Sequence, residues 1–276
     1  MNRAQKARVP AYRWFLAAVI LFLLFLLCTA LYAAGLFHTP VLRLEQQWLL
    51  RPATRVDCLF WEWRRAGVFP VSLLFTVLLG GLCWLLGYRK RVVILLVFLL
   101  AVAMGFEVAG KLAFEFTMPS ALRSGLTTLA CPQMYGQPKI VEVKTALGFW
   151  NEIPAPIAEK ASWARDVAQM PLPMDDLSKL PPGDITGESG YPSGHALRWM
   201  FLGLIACWLC WKHLRVPVLR ELLAGCFLFL AFFGGFMQFY IGNHVLTDTL
   251  AGYLLGAAAA CAAIGGLLLW RRPAKV

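Results

Sequence analysis

Six long apolar runs, almost free of charge, constrain this chain more than any other feature. They are Trp14–Leu36, Ala66–Tyr88, Val92–Phe106 with a less clean continuation to about Met118, Ala196–Trp211, Leu222–Tyr240 and Leu246–Trp270. A helix crossing a bilayer needs ~20 apolar residues, within a range of ~17–25. The first, second, fifth and sixth runs meet that length outright. The third does so only by including Glu107, Lys111 and Glu115, and the fourth is short and holds Arg198 near its start. Marginal spans are where polar chemistry enters a membrane. The fold expected is all-α: an integral-membrane bundle of six helices at about 14–36, 66–88, 92–118, 196–211, 222–240 and 246–270, forming a single domain. With 15% charged residues in 276 and a mean hydropathy of +0.64, a soluble enzyme and a disordered chain are excluded. The first run exceeds the ~7–15-residue apolar stretch of a cleavable signal, so it reads as a retained anchor.

Basic residues set the orientation. One side of the membrane receives Arg3, Lys6, Arg8, Arg13, Arg89, Lys90, Arg91, Lys212, Arg215, Arg220, Arg271, Arg272 and Lys275, opposed by a single acid, Glu221. The remainder of the chain carries 13 basic and 14 acidic residues. The positive-inside rule then puts both termini in the cytoplasm. The net charge of +11 is thus a topology signal and not a nucleic-acid footprint. The expected location is a bacterial inner membrane.

On the outer side, Arg43–Arg65 mixes five arginines with Leu, Trp and Phe, the pattern of an amphipathic segment lying at headgroup depth. The long polar stretch at about 120–192 reads as a cap loop over the outer face, with 155–170 its best helix candidate. Cys58 and Cys131 both fall outside and are close enough in type and compartment to pair, which sequence alone leaves open. Cys207 and Cys210 spell CxxC inside an apolar span and read as packing residues. His38 and His213 read as satisfied polar groups. Gly252, Gly256 and Ala257–Ala260 suit close helix packing, within the chain rather than between copies.

Three segments carry chemistry, each at an outer boundary of a span: Lys111 through Met118-Pro119, Tyr191-Pro192-Ser193-Gly194-His195 with Arg198, and Gly242-Asn243-His244 with Asp248. Charge-derived topology places all three on one face without reference to the motifs themselves. The combination of PSGH, HxxxD some fifty residues later and an upstream Lys resembles the type 2 phosphatidic acid phosphatase (PAP2) superfamily of membrane lipid phosphatases. The resemblance covers about Lys111 to Gly256 together with the six-span plan.

What the resemblance implies agrees with the residues. His244 and Asp248 lie four apart and share a helix face, so the carboxylate fixes the imidazole tautomer and leaves the other nitrogen as a nucleophile toward phosphorus. His195 serves as general acid, then as base. Lys111, the Ser193 hydroxyl and the Gly194 amide hold phosphate oxygens. The sequence departs from the family pattern twice: Met118 stands where an Arg precedes the Pro, and Met237-Gln238 where a Ser-Arg pair precedes the second histidine. Arg198 and, less directly, Arg123 are the candidates to supply the missing charge, with Gln238 a neutral donor. No metal and no cofactor is expected. The substrates implied are polyprenyl diphosphates, phosphatidate-like lipids, phosphatidylglycerol phosphate or lipid A. Two competing readings are a lipid-to-lipid phosphotransferase of the same fold and a lipid-binding protein that has lost turnover. A bland reading of Glu107, Lys111 and Glu115 is an ion-pair stripe at i, i+4 and i+8.

Overall fold

The computed structural model describes residues 10–36, 60, 63–114, 190–240 and 244–270. These residues form six α-helices: α1 (Ala11–Ala33), α2 (Phe69–Leu85), α3 (Val92–Ala113), α4 (Gly194–His213), α5 (Pro217–Tyr240) and α6 (Leu246–Leu269). A 3-10 turn, Arg64–Gly67, leads into α2. Five of the helices are long and apolar enough to cross a membrane, and α2, at 17 residues, is a shorter apolar helix. The chain is an integral membrane protein, all-helical among its described residues. Every backbone group in such a helix is satisfied within its own segment, which is what a hydrocarbon solvent demands.

Several boundaries differ from those read off the sequence. Helix α5 begins at Pro217, five residues before the uncharged run, and takes in Arg220 and Glu221. Their side chains pair at 3.2 Å, and the Arg220 guanidinium also lies 4.6 Å from the centre of the Trp211 ring. Charge at a helix end near an interface does not interrupt the helix, because long side chains reach toward water. Helix α3 stops at Ala113, and the next residue, Phe114, is extended. The expected continuation to Met118 lies outside the described residues, as do Glu115, Cys58, Cys131, His38 and the cap loop before Gly190. Of the amphipathic stretch Arg43–Arg65, only Phe60 and the last three residues are described, and the Phe60 ring packs edge-on against Phe233 and Tyr240 of α5.

Helix α6 is the most enclosed element, contacting α1, α3, α4 and α5. Its small residues explain this. A Cβ on Gly252 would overlap the carbonyl of Ser193, and one on Gly256 the carbonyl of Leu197, so α4 and α6 meet backbone to backbone. Close approach through small residues is how helices associate where lipid removes the hydrophobic incentive. Helix α1 lies at the periphery. It buries only Phe25 and Tyr32 and turns Leu16, Val19, Ile20, Leu23 and Leu27 outward, as a lipid-facing helix does. At the end of the bundle opposite Ser193, the buried Tyr88 hydroxyl lies 3.0 Å from His213 Nε2. Cys207 and Cys210 are free thiols.

Candidate active site

The entry to α4 joins the site together. Ser193 ends the extended Tyr191-Pro192 segment in β geometry, and its hydroxyl accepts the amide of Ala196 at 3.4 Å, capping the helix. Its own amide donates to the carbonyl of Asp248 at 2.9 Å. One backbone hydrogen bond therefore ties the start of α4 to the first turn of α6. Ser193 and Gly194 are fully enclosed, and His195 is half-buried.

His244 lies two residues before α6, not on the helix with Asp248 as the spacing predicts, yet the turn still brings the two side chains together. His244 Nδ1 lies 3.5 Å from Asp248 Oδ2, with Asp248 2% exposed. That pairing leaves Nε2 as the imidazole nitrogen not directed at the carboxylate. Gly190 covers the pair from the other side: a Cβ there would overlap Asp248 Oδ2 and lie 3.0 Å from His244 Nδ1. The amide of His244 donates to the carbonyl of Gln238 at 3.3 Å, which ties the turn between α5 and α6 to the last turns of α5.

A second group gathers on Glu107. Its Oε1 is 2.6 Å from Lys111 Nζ, and its Oε2 is 2.8 Å from Arg198 NH1. The Arg198 Nε also donates to the carbonyl of Gly67 at 2.8 Å. Glu107 is 4% exposed and Arg198 6%, whereas the Lys111 side chain is 38% exposed. A Cβ on Gly194 would overlap the Glu107 carboxylate, so the carboxylate sits against the first residue of α4. Removing one partner of such a buried pair typically costs roughly 3–5 kcal/mol, because it strands the other charge.

Of the residues singled out from sequence, Lys111, Ser193, Gly194, His195, Arg198, Gln238, His244 and Asp248 all lie at one end of the bundle, near the exit of α3, the entries of α4 and α6 and the end of α5. Arg123 and Met118 lie outside the described residues. Arg198 is not a free cation: two of its nitrogens are committed to Glu107 and Gly67. Among the described residues, no three His, Cys, Asp or Glu side chains gather as a metal site.

Sequence reasoning missed five contributors. Gly67 supplies a carbonyl to Arg198 and backs the His195 ring, where a Cβ would overlap Cδ2. Nothing in the sequence marks it. Gly190 directly precedes the YPSGH segment, which was a usable signal. Thr29 and Tyr32 reach in from α1. The hydroxyls of Thr29 and Tyr191 are 2.7 Å apart, and the Tyr32 and Tyr191 rings stack with centroids 4.3 Å apart. Phe114 closes this cluster edge-on to both tyrosines. Burial pushes the Tyr191 phenol well up from its usual range, so it stays protonated as a hydrogen-bonding group.

Comparison with known proteins then bears on this geometry. The family model described as the PAP2 superfamily matches residues 91–271. The fold resembles the crystal structure of a transmembrane PAP2-type phosphatidylglycerolphosphate phosphatase from Bacillus subtilis, with a TM-score of 0.56 and 16% sequence identity. The match covers 90% of this chain and 94% of that one. No curated protein matches the sequence.

Proposed function

The chain belongs to the PAP2 superfamily and is a membrane lipid phosphatase, a phosphoric monoester hydrolase, and from that premise we propose that it works through a phosphohistidine on His244 at the outer face of a bacterial inner membrane. The observation that carries this reading is the tie between the α4 entry and the His244–Asp248 turn, the Ser193 amide bonded to the Asp248 carbonyl.

In this reading Asp248 holds the His244 ring through Nδ1, and Nε2 attacks phosphorus. The bond to the lipid oxygen breaks as His195 gives that oxygen a proton. Water, deprotonated by His195, then attacks phosphorus. The P–N bond breaks, inorganic phosphate leaves and His244 is restored. Lys111, the Ser193 hydroxyl and the Gly194 amide face the equatorial oxygens, where charge concentrates. The positive end of α4 adds to their pull. The basic residues clustered at the opposite ends of the spans support the outward orientation.

Substrates are amphiphiles whose phosphate sits at headgroup depth: polyprenyl diphosphates, phosphatidate-like lipids, phosphatidylglycerol phosphate or lipid A. The test is phosphate release and lipid product analysis by the purified full chain across that panel. Release with water alone is expected, abolished in His244→Ala while the helical fold and thermal transition persist. In His195→Ala, turnover falls by roughly 10²–10⁴-fold, most for poor leaving groups. Products that form only when a second lipid acceptor is present make the chain a phosphotransferase instead. Full turnover in His244→Ala overturns the proposed nucleophile.

A further inference from the structure

We propose that Glu107 is the positioning residue that sets the charge of this site, a built-in counter-ion that holds Lys111 and Arg198 at the phosphate loop and cancels one of their two charges so that inorganic phosphate leaves after hydrolysis. The inference rests on the reading above in placing the phosphate at Ser193–Gly194.

Three features that recognise a phosphate group meet on the Glu107 carboxylate. Lys111 Nζ contacts Oε1 at 2.6 Å, Arg198 NH1 contacts Oε2 at 2.8 Å, and Gly194, the first residue of α4, lies against the carboxylate so closely that a Cβ would overlap it. Ammonium, guanidinium and helix N-terminus are also what binds anions in general. The carboxylate is buried, so its charge is poorly screened and acts on whatever anion enters beside it. Its two cations come from different helices, α3 and α4, and Glu107 bridges them. The sequence has already replaced two arginines of the family pattern by Met118 and Gln238. With Glu107 present, the two cations it holds offer one net positive charge. Binding energy spent equally on substrate, product and transition state does not raise kcat. A site with a weaker static grip on phosphate, and cations held in place beforehand, favours turnover over product retention.

The full chain in detergent, with inorganic phosphate as the probe, tests this. The readouts are the dissociation constant from phosphate-dependent protection against thermal unfolding, and kcat on a lipid phosphate. Glu107→Gln should bind phosphate at least about tenfold tighter, the order of effect of one charge a few ångström away at a protein boundary. Its kcat should fall, because Lys111 and Arg198 lose their common anchor. A purely structural ion pair would not move the two in opposite directions. Glu107→Asp keeps the charge but withdraws it from Gly194, and should fall between the wild type and Glu107→Gln in phosphate affinity. Recovery of folded Glu107→Gln only in phosphate buffer counts for the proposal, since the anion then replaces the carboxylate. Should Glu107→Gln aggregate with and without phosphate, Glu107→Asp decides: tighter phosphate binding than wild type supports the proposal, and equal or weaker binding overturns it. Equal or weaker binding by folded Glu107→Gln overturns it directly, as does an unchanged kcat. Phosphate protection needs no turnover, so a wild type that hydrolyses no lipid sinks the enzymatic reading and leaves this comparison intact.

Discussion

Gln238 stands where the family pattern has an arginine, and it is 1% exposed in the last turns of α5. Its carbonyl accepts the His244 amide, so the position belongs to the network that holds the proposed nucleophile. A neutral amide there donates hydrogen bonds but supplies no charge to a phosphate. Gln238→Arg is expected to lower KM for a lipid phosphate, with Michaelis kinetics as the check and a thermal transition confirming that the buried guanidinium is tolerated. An unchanged KM in folded protein would assign the whole cationic task to Lys111 and Arg198. Arg198 shows why a residue's role was harder to read than its presence. Sequence placed it one turn beyond Ser193-Gly194 at the same end of the helix. Its partners, Glu107 from α3 and the carbonyl of Gly67, come from far along the chain, and no local pattern announces a tertiary carbonyl.

Helix α1 lies outside the stretch matched by the family model, yet it touches the segment that leads into Ser193. Its Thr29 hydroxyl also donates to the Phe25 carbonyl at 2.9 Å, which spends its one proton and leaves the Tyr191 hydroxyl as the donor to Thr29. Thr29→Val is expected to lower the unfolding free energy by about 1–3 kcal/mol, the penalty for stranding a buried hydroxyl partner. Tyr191→Phe should cost a similar amount, and the double variant clearly less than the sum of the two, as thermal or denaturant unfolding in detergent would show. Strict additivity would mean the two hydroxyls do not act as a pair. Length and apolarity made the helices themselves legible from sequence, because a hydrocarbon solvent permits few alternatives. Their ends were less so: Arg220 and Glu221 pair within α5 instead of terminating it. The neighbours of each helix were not legible, since an apolar face toward lipid and one toward protein have the same composition. Only the small residues of α6 hinted at a buried partner, and there Gly252 and Gly256 do meet α4.

At the scale of the molecule, the proposed site occupies one end of the bundle, and the described basic flanks, Arg13, Arg89–Arg91, Lys212, Arg215 and Arg220, lie at the other. Sidedness follows as a prediction. A water-soluble, membrane-impermeant short-chain lipid phosphate should be hydrolysed by intact right-side-out vesicles and not by sealed inside-out ones until detergent is added. The reverse pattern would overturn the charge-derived orientation. Packing adds a temporal consequence. Helix α1 leans along α6, with the Phe15 ring against Gly265, so a helix made early docks on one made late. A nascent chain stalled after Tyr240 already holds Lys111, Glu107 and Arg198 but lacks His244 and Asp248 altogether. A partial chain of that kind would hold the proposed phosphate-binding cations without the proposed nucleophile, so in this reading hydrolysis waits on the arrival of α6.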